Sequence, residues 1–397
     1  MAQDSFPSRM SVAALGPVAG PAGGPDAVQL LLFECETAPA RQSELRRTNA
    51  FGLWDTAPRF FFGDDVDAPI DRHFQAGGRS YRLTINPVNL RVRPDGTEEE
   101  AIKDDKSRWK VVAPGNREQI VEEVVRLIAT RRARLSLDKH DEIVLRFSLH
   151  EIQKELAKVN KTLSHYEIQD ALTILHKSVV EIAVDDGTKE ALLSSSAFPT
   201  LHFGTRKAKG QPGVNGSTMA YLKFNDLVAS DIRNLRYRMV SYETLICLPP
   251  VARWVYKTLS WHYETGSLEE PFVINARSIL RDSGMTERSR FRDTLSTIRD
   301  SLAAVQAAGV IEPFHTERHV QGRTIDDETY TLMPSAAFRA EIEMARAAKA
   351  QAEETLVQMG AAPQGPFKRV DRLTGTRMRR ERANAAARPL SLLERSA

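Results

Sequence analysis

Cysteine is nearly absent from this chain: Cys35 and Cys247 are the only two in 397 residues. Two distant cysteines cannot build a disulfide framework, which excludes the small secreted scaffolds and suits a reducing cytoplasm. Long apolar runs are missing as well. No stretch approaches the roughly 20 apolar residues of a bilayer span, and the first residues lack a basic-then-apolar signal pattern, so no membrane association is expected. The net charge is only +3, so attraction to nucleic acid has to come from local patches. Reactive motifs are equally scarce. There is no H-x-H pair to hold a metal beside a nucleophilic tyrosine, and no phosphate-cradling GxxxxGK[ST] loop. His315-Thr316-Glu317-Arg318-His319 has histidines at zinc-protease spacing, but its glutamate is misplaced and the segment reads as a hairpin, not a helix. The chain therefore reads as a non-enzyme without cofactor or metal.

What is present is one layout used twice. In Glu142–Val184, and again in Phe272–Phe314, a strand leads into a helix, a turn, a second helix and a closing strand. That order is a helix-turn-helix with a β-wing, which lays its second helix in the DNA major groove. In the first unit, Glu142–Phe147 alternates as a half-buried strand. Ser148 to Glu151 and Ser164 to Glu167 are capping boxes, each followed by apolar residues on one helical face: Leu149, Ile152 and Leu156, then Ile168, Leu172 and Leu175. Val179–Val184, the turn Asp185-Asp186-Gly187-Thr188 and Glu190–Leu193 make a hairpin. A preceding helix over Arg117–Thr130 buries Ile120, Val124, Leu127 and Ile128.

The second unit opens with an amphipathic helix over Pro250–Tyr263, proline standing where a missing amide is harmless. Phe272–Ile274 is a short strand, Asn275 an N-cap and Gly284 a helix stop. Thr286 is expected to cap the next helix, whose stripe is Phe291, Leu295, Ile298, Leu302 and Val305. Val310–Phe314 reads as a strand, His315–Arg323 as a polar loop with Gly322 at its tip, and Thr329–Leu332 as the return strand. The alternative reading of either unit alone is a helix–strand packing unit of an α+β protein.

Charge separates the two units. Over Asn275–Arg292, Arg277, Arg281, Arg288, Arg290 and Arg292 oppose only Asp282 and Glu287. The candidate DNA-binding residues are Arg277, Arg281, Thr286, Arg288, Ser289 and Arg292, with Arg318 and Arg323 in the wing. The other reading of that arginine cluster is a solvated helix face. In the first unit the second helix carries Glu167 and Asp170 against Lys177, so the backbone-holding candidates are Lys154, Lys158 and Lys161, just before it. The second unit is thus expected to read sequence, the first to add contacts, dimerisation or both.

The expected organisation is α+β: two tandem winged-helix domains, at 111–205 and 218–335, between disordered tails. Residues 1–40 form a leader, 41–110 an irregular arm with a small hairpin turning at Arg93–Gly96, and 206–217 a linker. Residues 336–397 comprise a polar helix with little to bury and a basic tail. From Pro366 onward Lys368, Arg369, Arg372, Arg377, Arg379, Arg380, Arg382, Arg388 and Arg395 face three acids, a non-specific nucleic-acid contact or a solubilising end.

Leu248-Pro249-Pro250-Val251-Ala252-Arg253-Trp254-Val255-Tyr256 resembles the L-x-P-x-A-R-x-x-(F/Y) helix of iteron-binding plasmid replication initiators of the TrfA/RepA type. Tyr221–Met239 and Arg146–Ile152 fit the same family, so the resemblance covers roughly Phe51–Phe314. It implies two pseudo-symmetric winged domains that bind directly repeated sites in double-stranded origin DNA and open adjacent A·T-rich duplex. It also implies a monomer–dimer self-association, and as partners the host helicase with its loader, the initiator of the host chromosome and the polymerase sliding clamp. The rival reading is a dimeric winged-helix transcriptional repressor.

One short segment points to the clamp itself. Gln29-Leu30-Leu31-Leu32-Phe33 resembles the clamp-docking peptide of bacterial replication proteins, departing from it at Leu31. Gln29 and Leu30 would enter the groove, with Leu32 and Phe33 filling an apolar pocket; the alternative is a buried strand. Replacing Leu32 and Phe33 with Ala is expected to abolish clamp pulldown and leave DNA binding intact. Lost folding with clamp association unchanged would make the segment a structural strand.

Overall fold

The computed structural model describes residues 47–63, 66–91, 109–130, 134–138, 140, 142–185, 191–205, 218–322 and 324–358. They form a mixed α and β fold of small antiparallel sheets and helices. The clamp-like peptide, Arg323 and the basic tail lie outside the described residues.

In the first half, β7 (Ile143–Ser148) leads into α3 (Leu149–Ala157), and α4 (His165–Lys177) leads into β8 (Val180–Val184) and β9 (Ala191–Ser195). Both capping boxes form, so each helix start satisfies its open amides with its own Ser and Glu. Between the helices Asn160 takes a left-handed φ of 54°, which asparagine tolerates. β8 pairs with β9, and on its other edge with β3 (Arg79–Ile85), which pairs with β2 (Ile70–Ala76). Residues 70–85, placed in the irregular arm over 41–110, are thus a regular strand pair. The hairpin turns at Gly77-Gly78, with φ of 55° and 74°, because two successive left-handed residues suit a two-residue hairpin. Arg93–Gly96 lies outside the described residues, and β4 (Val88–Arg91) pairs with β5 (Trp109–Val112).

Residues 206–217, expected as a linker, also lie outside the described residues. They are flanked by β10 (Thr200–Thr205) and β11 (Thr218–Lys223), which pair antiparallel, and β11 pairs in turn with β7. Residues 218–223 therefore complete the sheet β10-β11-β7-β6, whose edge is β6 (Leu135–Leu137).

In the second half, α5 (Asp226–Arg233), β12 (Tyr237–Ser241) and α6 (Tyr242–Cys247) lead to α7 (Pro250–Thr265). Then come β13 (Phe272–Asn275), α8 (Ala276–Ser283), α9 (Phe291–Ala307), β14 (His315–Gln321) and β15 (Thr324–Leu332). Two local expectations are corrected. Val310–Phe314 holds only an isolated bridge, Ile311 to Pro334, and the strand is His315–Gln321, which the polar sequence hid because most of its side chains face solvent. Thr286 does not cap α9: the helix starts five residues later, after Arg290, which offers no side-chain cap. The buried Thr294 instead accepts the Arg288 amide at 2.9 Å and so holds the preceding loop.

The last helix, α10 (Ala336–Gln358), was expected to bury little. It buries Phe338, Ile342, Ala345 and Ala352. Phe338 and Ile342 join the core built by Leu259, Tyr263, Ile279, Leu295, Ile298, Leu302, Tyr330 and Leu332. Arg346 donates to the carbonyls of Tyr263 and Gly266, both at 2.6 Å, and so closes the end of α7.

The two halves meet at a buried cluster of charges. β1 (Arg47–Phe51) pairs with β12, and α1 (Gly52–Thr56) follows it directly. From this segment Asp55 and Arg59 reach Glu122, Glu123 and Arg126 of α2 (Asn116–Ala129) and Lys257 of α7. Arg126 bonds Asp55 at 2.7 Å and Glu122 at 2.5 Å, and Lys257 bonds Asp55 at 2.8 Å and Glu123 at 2.5 Å. Arg59 bonds Glu122 at 2.5 Å, and the Trp54 indole donates to Glu122 at 3.1 Å. Three cations thus balance three carboxylates out of water. Burial would raise the Asp55 carboxyl, but Arg126, Lys257 and Arg59 hold it well below the usual carboxylate range. The arginine of the A-R motif serves the same junction: Arg253 donates to Asn116 at 2.9 Å and Gln119 at 2.7 Å.

Breaking a buried ion network by removing one partner leaves uncompensated charge, at a cost of about 3–5 kcal/mol. Lys257→Met is therefore expected to lower stability by that order in urea titration. Lys158→Ala, which removes a half-exposed partner of Glu155, should change it by under about 1 kcal/mol.

Candidate nucleic-acid interface

The second half brings most of its candidate residues to one face. Asn275 caps α8 by accepting the Ser278 amide at 2.7 Å. The helix ends at Gly284, whose φ is 78° and whose absent Cβ would stand 2.5 Å from the Arg72 guanidinium and 3.3 Å from the Phe60 carbonyl. Only glycine fits both constraints. The chain then crosses Met285–Arg290 before α9, and Thr286, Glu287, Arg288, Ser289 and Arg290 are all exposed. Thr294 fixes one end of this loop, and α9 is seated by the buried Leu295, Ile298, Leu302 and Val305. Beside it stands the sheet β13-β15-β14, in which the edge strand β14 and the central strand β15 form the hairpin β14–β15.

The arginines on this face fall into two sets. Arg277 is held by Asp326, at 2.8 Å to its carboxylate and 3.1 Å to its carbonyl, with its guanidinium 4.9 Å from the Phe291 ring centroid. Arg281 forks onto Asp282 through two 2.7 Å bonds, which strengthen its hold on its proton. Asp282 also accepts the Gln75 amide of β2 at 3.0 Å, tying the first hairpin to α8. Arg318 of β14 lies 3.3 Å from Glu328, which also binds Arg299 of α9 at 3.1 Å. The second set is more exposed. Arg288 and Arg290 make no side-chain ion pair with the described residues, and Arg292, 74% exposed, has only Asp293 at 3.9 Å. Three exposed guanidiniums therefore cluster with Ser289 at the entry to α9, with only a long, solvent-exposed contact from Arg292 to Asp293 among them, an arrangement that suits a phosphate or a guanine edge.

The first half is arranged differently. Glu167, read as an obstacle to phosphate, is committed to its own helix start: it accepts the Ser164 amide at 2.7 Å, and that bond holds its carboxyl below the ordinary range. Tyr166 beside it is 65% exposed. Lys158 pairs with Glu155 at 2.8 Å, Lys154 is exposed and Lys161 is half-buried. Arg299 and the acids Asp326 and Glu328 escaped notice in the sequence, where an acidic run in a wing argues against DNA. Only the strand pairing of Arg318 with Glu328 reveals their role.

No family model and no curated protein sequence matches this chain. Among solved structures it is similar to domains 2 and 3 of RctB, at 8% identity over 71% of this chain and 96% of that one, with a TM-score of 0.43. A second RctB structure of those domains gives 7% identity over 74% and 99%, with a TM-score of 0.41. The Pi initiator protein in complex with iteron DNA gives 14% identity over 56% and 92%, with a TM-score of 0.38.

A guanidinium that reads guanine discriminates by about 1–3 kcal/mol. Arg288→Ala is expected to lose that much preference for a specific site over random duplex, measured by competition binding. Equal weakening on both would reduce Arg288 to a phosphate contact.

Proposed function

We propose that this chain is an initiator of plasmid replication that binds directly repeated sites in double-stranded origin DNA. Both helix-turn-helix and hairpin units act as winged-helix domains in this reading. The observation that carries it is the set of exposed arginines Arg288, Arg290 and Arg292 at the entry to α9, flanked by the hairpin β14–β15. The resemblance of Leu248–Tyr256 to the initiator helix supports the same reading. α9 lies in the major groove, its first turn toward the bases, and β14–β15 follows the adjacent backbone. The first half adds phosphate contacts through Lys154, Lys158 and Lys161 and supports self-association. Opening of the A·T-rich duplex and recruitment of the host helicase with its loader, of the chromosomal initiator and of the sliding clamp follow from the same assignment, as does a cytoplasmic location. No helix among the described residues is long and apolar enough to cross a membrane.

Binding to the DNA beside the protein's own gene is the test, because an initiator and a dimeric repressor need different site symmetry. Tandem repeats about two helical turns apart, roughly 21 base pairs, should each take up one copy in sedimentation and footprinting. A footprint confined to a single inverted repeat, filled by one dimer, would favour the repressor.

A further inference from the structure

Strand β15 carries Asp326-Asp327-Glu328 into a hairpin that faces DNA in the reading above. Glu328 is fully buried. One of its oxygens takes Arg299 of α9 at 3.1 Å and Arg318 of β14 at 3.3 Å, and the other accepts the Tyr330 hydroxyl at 2.9 Å. Tyr330 is itself buried in the core, so the carboxylate is anchored from below. Burial and the Glu328 hydrogen bond push the Tyr330 hydroxyl well above its ordinary range, so it remains a donor. Arg299 and Arg318 come from different elements, the helix entered through the free arginines and the outer strand of the hairpin. Their side chains are 32% and 61% exposed. Without Glu328 both could swing to solvent and to phosphate.

We propose that Glu328 is a positioning residue that sets sequence discrimination: it fixes the hairpin against α9 and withholds Arg299 and Arg318 from phosphate. Non-specific affinity counts neutralised phosphates, each contributing about −0.9 to the log–log salt slope. Specific affinity counts the contacts that only the right bases complete. A carboxylate that occupies two guanidiniums suppresses the first and leaves the second to Arg288, Arg290 and Arg292. The inference rests on the duplex-binding reading of this face, but the withheld charge can be measured on any polyanion.

Full-length Glu328→Gln keeps the shape and the Tyr330 hydrogen bond while removing the charge. It should elute from heparin at higher salt than the unaltered chain. Arg318→Ala should leave heparin elution unchanged in the unaltered chain and reverse the gain in the Glu328→Gln background. On random duplex the Glu328→Gln salt slope should steepen by about 1–2. Its preference for repeat-bearing over random duplex should fall about tenfold, the size of one lost base contact. Unchanged heparin elution in Glu328→Gln, or an equal loss from Arg318→Ala in both backgrounds, would overturn the proposal. If Glu328→Gln fails to fold, Arg299→Ala and Arg318→Ala decide alone: unchanged heparin elution supports withheld charge, and earlier elution refutes it. An unaltered chain with no preference for repeats would sink the initiator reading, while the heparin results would still decide the role of Glu328.

Discussion

A cluster of six charges buried from solvent is the constraint on which the arrangement of this chain depends. Asp55, Arg59, Glu122, Glu123, Arg126 and Lys257 come from three separate segments. Each is costly to bury alone, and the cost is offset only when all are in place at hydrogen-bond distance. Apolar surfaces can slide by a fraction of a residue and still bury area. A balanced ionic network cannot, because each displacement leaves a charge unsatisfied. The cluster therefore fixes α2 against α7, and through them the helix pair α3–α4 against α8–α9. Arg253, with Asn116 and Gln119, extends the same contact one turn earlier on α7.

With the halves held, the charge on the outer face is sorted by pairing and not by composition. Arg277, Arg281, Arg299 and Arg318 are occupied by Asp326, Asp282 and Glu328, whereas Arg288 and Arg290 make no ion pair with the described residues and Arg292 makes only a long, exposed one to Asp293. The occupied set shapes the face by tying α8 and α9 to the hairpin. Gly284 makes this possible, since it lets α8 stop tightly against Arg72 and Phe60 and sends the chain outward into the exposed loop.

Sequence revealed the parts of this structure whose causes are local. Ser148 with Glu151, Ser164 with Glu167, Asn275 and Gly284 mark helix ends through contacts within a few residues, and all four signals hold. Signals that depend on distant partners were illegible. Glu122, Glu123 and Arg126 have the spacing of a solvated helix face, and nothing nearby says that Asp55 and Lys257 will enclose them. β14 lacked the expected alternation because most of its side chains face water. The alanine-rich stretch of α10 hides a seam of Phe338, Ile342 and Ala345, buried where α10 packs on α7 and β12. In the candidate site the basic cluster was legible as a count. Which of its members are occupied was only partly legible, because Arg281 pairs with its neighbour Asp282 but Arg277 is held by Asp326, 49 residues away.

The central claim is that the buried charges hold the two helix-turn-helix units in one fixed geometry before any ligand is met. Double electron–electron resonance between nitroxides on the exposed Lys177→Cys of α4 and Asp300→Cys of α9, with Cys35 and Cys247 replaced by Ser, measures that geometry directly. The account predicts a single narrow distance distribution in the free chain, which broadens when Lys257 is replaced by Met. A broad or multiple distribution in the chain with Lys257 intact would contradict it.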